Sequence, residues 1–398
     1  MRILICAAEA PLPPINGFRL MLRALTEELR REHEVRVLAL RAADQDAASV
    51  DENHLRLVPR PEAHRVGDAA ALVQALLRRR PLRADAVAAL LAGPLRKELE
   101  EFNPDLVHVT SGRLAAIGAA LAGRKSVLGA LDAWHLNVEA RAAVAAGARS
   151  RLLQGEAVRV RRFEASEYRR FGRVVVVSDA DRDALREVDP TLAVSVIPNG
   201  VDARFFAPDP TAARESSRLV FTGVMSYAPN VLAADFLARE VFPLVRTARP
   251  DARLAIVGRA PAARVRALAE LDGVEVTGEV EDLRPWLVGS GAYVCPMISG
   301  TGIKNKLLEA MACSAACVAT PLALQGLRVT PGQELLVGVT AKELADELLR
   351  LLEDDECRAR LGRAAREYVR REHDWGAVAR AYADVYGEVL AEDAHAPV

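Results

Sequence analysis

The chain has 398 residues, 51% hydrophobic and 27% charged with 25 glycines, a composition that suits two globular domains and excludes collagen-like and disordered classes. A formal net charge of −1 gives no bulk attraction to nucleic acid. No apolar run reaches the roughly 18 residues of a membrane span, and the start runs into Pro13, Pro14 and Asn16 too early for a secretory signal, so a cytoplasmic protein is expected.

In chain order, short apolar runs rich in β-branched residues alternate with helical stretches, the pattern of a parallel sheet. They fall at 2–7, 35–40, 105–109, 126–131, 173–177 and 193–197, then restart at 218–222, 252–257, 273–277, 292–296, 316–319 and 334–337. The expected fold is α/β, two doubly wound Rossmann-like domains at 1–197 and 218–375. Between them Pro198-Asn199-Gly200 is turn chemistry, and the Pro- and Ser-containing stretch to 217 reads as a linker. A last helix, within 376–398, has apolar positions at Val378, Tyr382, Val385, Tyr386 and Val389 and could pack on either domain. The five cysteines are scattered in apolar contexts and read as reduced thiols, and no His or Cys spacing marks a metal site.

Ligands of open parallel sheets bind beyond the carboxyl ends of the strands. The richest such loop is Pro296-Met297-Ile298-Ser299-Gly300-Thr301-Gly302-Ile303-Lys304-Asn305-Lys306, running into Leu307-Leu308-Glu309-Ala310-Met311. A strand, a glycine-containing loop and a helix start near 303–305 make an anion site from free backbone N–H groups. Lys306 and Glu309, three apart, share a helix face. A lysine for a diphosphate and a glutamate accepting from ribose hydroxyls suit a nucleotide sugar; a surface ion pair is the bland alternative. Only five of the 53 basic residues are lysine, and Lys304 and Lys306 are two of them.

This segment resembles the donor-binding element of GT-B glycosyltransferases, in particular family 4, in the sugar-transferase branch with Asn-Lys before Leu-Leu-Glu. The strand-then-Ser turn Val174-Val175-Val176-Val177-Ser178-Asp179 and the interdomain signature Ile197-Pro198-Asn199-Gly200-Val201-Asp202 are similar to that family as well. The resemblance implies two facing domains with a cleft, a nucleoside diphosphate sugar held mainly by the second and an acceptor held mainly by the first. It also implies retention of configuration and no metal or cofactor.

Two departures stand out. The family's second glutamate, eight residues before Glu309, is Thr301 here, and the loop Gly223-Val224-Met225-Ser226-Tyr227-Ala228-Pro229-Asn230 lacks the family's diphosphate-binding cations. Lys306 is expected to neutralise the diphosphate instead, with Lys304 and Arg259 as helpers and Gly223, Gly300, Gly302 and Ile303 in the donor loops. In the first domain, Gly17 falls where the family has its glycine-rich loop. Asp132 matches the family's active-site histidine by position and His135 matches it by chemistry, so both are candidates for orienting the acceptor or moving a proton. His108, inside a strand, reads as a buried structural histidine.

Residues 141–186 hold eleven arginines against six acidic residues, and Arg78, Arg79, Arg80 and Arg83 add a second basic cluster. Solvated helix faces explain them; an anionic acceptor or peripheral contact with the inner face of a membrane is the other reading. The function expected is sugar transfer to an acceptor hydroxyl on a small molecule, a lipid-linked sugar or a polysaccharide intermediate. A nucleotide-sugar epimerase and a non-catalytic nucleotide-sugar-binding scaffold are the alternatives.

Overall fold

The computed structural model describes residues 1–12, 17–41, 54–59, 80–81, 84–121, 123–209, 211–212, 215–300 and 302–392. Its internal contacts divide the chain into two units, Met1–Pro198 with Val378–Val398, and Asn199–Ala377.

In the first unit, seven strands form one parallel sheet: β1 (Arg2–Ala7), β2 (Glu34–Leu40), β3 (Leu55–Val58), β4 (Leu106–Thr110), β5 (Ser126–Leu131), β6 (Arg173–Val176) and β7 (Val194–Val196). Their spatial order is β3-β2-β1-β4-β5-β6-β7. Strands 1 and 4 are buried almost throughout, as continuous apolar runs require when helices cover both faces of a sheet. β3 is the strand that the apolar-run reading lacks. It lies at the sheet edge, where Arg56 is tolerated and a fully apolar run is not needed.

The final helix, Trp375–Ala391, contributes to this unit from Val378 onward. Tyr382 and Tyr386 are buried against His108, and the Tyr386 hydroxyl lies 2.8 Å from His108 Nδ1. Burial pushes the His108 pKa down to about 3, so the ring is neutral. It is a core histidine, although its Nε2, over Gly129, has no hydrogen-bond partner among the described residues.

In the second unit, β8 (Glu215–Thr222), β9 (Arg253–Val257), β10 (Val274–Gly278), β11 (Ser290–Cys295), β12 (Cys317–Ala319) and β13 (Leu336–Val337) form a parallel sheet in the order β10-β9-β8-β11-β12-β13. The order reverses between β8 and β11. Crossovers leave to opposite faces there, opening a crevice at the carboxyl ends of those two strands. The loops that follow them are 223–227 and 296–304, the two segments the sequence marks for the donor.

The stretch read as a linker begins inside this unit. The Val201 N–H donates to the His373 carbonyl at 2.7 Å, Arg366 donates to the Phe206 carbonyl at 3.1 Å, and Val201 and Ala203 are buried. Val201 and Ala203 are therefore anchored in this unit, while Asp202, Arg204 and Phe205 between and after them are exposed.

Candidate functional site

The helix Asn305–Ala312 starts at the end of the loop after β11, with Lys304 as its N-cap. The Lys304 side chain does not cap the helix; its Nζ turns back to the Gly302 carbonyl. The first backbone N–H groups thus keep their positive field toward the crevice. Gly300 and Gly302 have φ of 99° and 75°, a left-handed backbone that glycine adopts without strain, and this carries the loop around to the helix start. Ile303 is half-buried and packs against the core. Thr301 lies outside the described residues.

Lys306 extends from the first turn of this helix to the end of β8. Its Nζ donates to the Asn230 Oδ1, lies 4.9 Å from the Phe221 ring centroid and 3.9 Å from the Met297 Sδ. Burial holds its pKa below the ordinary lysine range, with Lys304 acting in the same direction and Cys295 and Glu309 opposing. Glu309 lies one turn on. Burial raises its pKa to about 7 against the opposing pull of the Lys306 ammonium. Lys304 is buried too, and desolvation lowers its pKa.

The loop after β8 is bound into the same site. Gly223 donates its N–H to the Val257 carbonyl at 3.0 Å, and the Met225 N–H donates to the Arg259 carbonyl at 2.9 Å. A Cβ on Gly223 would come within 2.7 Å of the Asn230 Nδ2 and 3.1 Å of the Lys306 Nζ, so only glycine lets these three approach. The structure therefore gathers Gly223, Gly300, Gly302, Lys304, Lys306 and Glu309 around the β8/β11 crevice. Arg259 reaches its edge as an exposed residue of the adjoining loop. Asn230 belongs to this group and is missed by sequence reasoning, since a neutral amide advertises no charge.

In the first unit, Gly17 opens the helix Gly17–Leu29 with open space beyond it, and 13–16 lie outside the described residues. Asp132 follows β5. The residue before it, Leu131, has φ of 71°, a conformation unfavourable for a bulky side chain and typical of strained sites. A register shift in the β5–β6 pairing occurs at the same point. The next residues are clamped by two carboxylates. The Ala133 N–H donates to Asp181 Oδ1 at 3.0 Å and the His135 N–H to Glu164 Oε1 at 3.3 Å, while His135 Nδ1 lies 2.6 Å from Glu164 Oε2.

His135 and Glu164 are 1% and 0% exposed, so the imidazole is spent on a buried pair. The ring of His135, expected at the acceptor, is packed inside the unit against Glu164. Asp132 is half-buried and remains reachable. Its pKa is raised, chiefly by burial and also by Asp181 and Glu164, against a hydrogen bond from Asn137 and the charge of Arg113.

Five of the eleven arginines of the 141–186 stretch pair with these carboxylates: Arg159 with Glu156, Arg161 with Glu139, Arg169 with Asp189, Arg170 with Glu167 and Arg182 with Asp179. Arg80 pairs with Asp85 and Glu167; Arg78, Arg79 and Arg83 lie outside the described residues. Among the described residues no group of three His, Cys, Asp or Glu is placed to hold a metal ion, and no helix is long and apolar enough to cross a membrane.

Two family models match the chain in tandem, "Glycosyltransferase Family 4" over residues 15–205 and "Glycosyl transferases group 1" over residues 216–354. The chain is a GT4-like glycosyltransferase. Its two parallel-sheet units have the GT-B fold. Sucrose-phosphate synthase from Thermosynechococcus elongatus superposes with a TM-score of 0.73 at 17% identity, covering 98% of this chain and 100% of that one. An Anabaena protein solved in complex with UDP gives 0.66 at 17% identity, covering 98% and 100%. Among curated proteins, the phosphatidyl-myo-inositol mannosyltransferase of Mycolicibacterium smegmatis is 32% identical over 224 residues, 54% of this chain and 57% of that protein. A GDP-mannose-dependent monoacylated phosphatidylinositol monomannoside mannosyltransferase of Corynebacterium glutamicum is 30% identical over 201 residues, covering 45% and 52%. The chain thus spans little more than half the length of these curated relatives.

Proposed function

We propose that the protein transfers a sugar from a nucleoside diphosphate sugar to a hydroxyl of a lipid-borne acceptor. One observation carries the reading: a half-buried lysine, a half-buried glutamate and an uncapped helix N-terminus converge at the switch point of the second sheet. A diphosphate meets the Lys306 ammonium and the amides of Asn305 and Lys306, and Glu309 accepts from the ribose hydroxyls. These positive groups are fixed before the substrate arrives, so they stabilise the charge that develops on the leaving diphosphate without reorganising. Lys306 and the helix supply the neutralisation in this reading, with no metal assigned a part.

The first unit holds the acceptor, and Asp132 is the group there with access, its ionised carboxylate accepting a hydrogen bond from the acceptor hydroxyl and orienting it. The reaction proceeds with retention, the leaving phosphate taking the acceptor's proton. The names of the curated relatives, mannosyltransferases of phosphatidylinositol lipids, support a hexose donor and an acceptor at a membrane surface, where the protein works by peripheral contact. Incubation with GDP-mannose or UDP-glucose and phosphatidylinositol vesicles tests this. Release of nucleoside diphosphate with glycosylated lipid is expected; sugar nucleotides left intact with every lipid-borne acceptor would contradict it.

A further inference from the structure

The segment 223–230 after β8 carries no cation, yet its Asn230 contacts Lys306, whose ammonium lies beside the Phe221 ring and the Met297 thioether. We infer that Asn230 is a positioning residue for Lys306, holding its ammonium in place without cancelling its charge. The inference rests on the donor reading for its purpose but not for its geometry.

Asn230 is 5% exposed and lies at the start of the helix Ala228–Phe236. Its Nδ2 donates to the Val224 carbonyl at 2.9 Å, which fixes the amide so that Oδ1 points at Lys306. One side chain thereby ties the 223–227 loop to the donor helix, 76 residues further along the chain. A long lysine side chain would otherwise lose substantial rotamer freedom when it meets a ligand. Asn230 and the Phe221 ring remove that freedom beforehand.

The choice of an amide is the informative part. An aspartate or glutamate at this position would hold the ammonium more firmly, but it would neutralise the charge that a diphosphate needs and repel the diphosphate itself. An amide oxygen accepts a charge-assisted hydrogen bond and leaves the net positive charge in place. Gly223 is the complement, since any Cβ there would push into both the Asn230 Nδ2 and the Lys306 Nζ. A neutral loop and a half-buried lysine thus do together what a cation on the loop would do alone.

The test reads the lysine directly. The rate of Lys306 acetylation is followed by mass spectrometry against pH in the full chain and in the variants N230D and N230L, and UDP and GDP binding is titrated in the same three proteins. Cys295, Glu309 and Lys304, the other titratable groups facing Lys306, are unchanged throughout. Loss of the acceptor in N230L lowers the midpoint of the labelling profile, whereas the new carboxylate in N230D raises it, each by about one pH unit, or tenfold in rate at fixed pH. Nucleoside diphosphate binding weakens in both variants, about tenfold or more in N230D. A merely structural asparagine would move both midpoints the same way or not at all, and either result overturns the inference. Opposite midpoint shifts with no UDP or GDP bound by any of the three proteins would uphold the positioning of Lys306 while the donor reading fails.

Discussion

The two units treat their charged side chains in opposite ways. In the second, a half-buried lysine is held by a neutral amide and its charge stays available; in the first, a buried histidine is matched with a buried carboxylate. The sheets are alike, both parallel and both with a strand-order reversal. What differs is the partner chosen for each buried group. A buried charge must be paired or hydrogen-bonded to persist, and the kind of partner decides whether it braces the fold or waits for a ligand.

This contrast is most sharply broken at His135. Replacing it with Ala removes the side-chain partner of the buried Glu164, leaving only the backbone N–H of residue 135, and is expected to destabilise the first unit by about 3 kcal/mol, read by urea unfolding, with nucleoside diphosphate binding unchanged in the protein that remains folded. Normal stability with lost transfer would instead make His135 the acceptor-side group. The next effect is at Asp132. D132N is expected to lower the transfer rate roughly 100-fold with little change in donor KM. Because its carboxyl is held above the ordinary 3.8, the wild-type rate should rise with pH through an acid limb above that value, and D132N should lose the limb.

The smallest expected effect is at Glu309, where the folded-state pKa of about 7 lies above the ordinary 4.5. A group raised on folding contributes fully below its unfolded pKa and loses that contribution as pH rises through the folded value. Wild-type stability should therefore fall between pH 4.5 and 7 relative to E309Q. At pH 8 the variant should be more stable by up to about 3 kcal/mol in thermal or urea unfolding, less the solvent screening that a half-buried carboxyl receives, the two proteins converging below pH 4.5. A variant no more stable at pH 8 would show that Glu309 is already ionised and solvated. The same variant should bind nucleoside diphosphate more weakly, which separates a ligand-facing glutamate from a purely structural one.

Much of the architecture was legible because parallel strands buried on both faces must be apolar along their whole length. The runs at 2–7 and 126–131 coincide with β1 and β5, and most others agree within a residue or two. β3 was not legible, as an edge strand of four residues with an arginine inside it carries little of that signal. The donor loop was readable from its glycines and from the lysine scarcity around Lys306. Two features were not: Asn230 is distant in sequence and uncharged, and the burial of His135 depends on Glu164, on a helix 29 residues away. Residue type and position after a strand suggest what chemistry is at hand; only the packing shows whether a side chain is occupied.

The central claim is that the second unit binds a nucleoside diphosphate through Lys306. Isothermal titration of UDP, GDP, dTDP and ADP against the wild-type chain and K306A, with and without added divalent metal, tests it most directly. The account predicts that one of the four binds the wild-type protein without metal and that K306A weakens it at least tenfold, whereas equal affinity of both proteins, or no binding of any of the four, would contradict it.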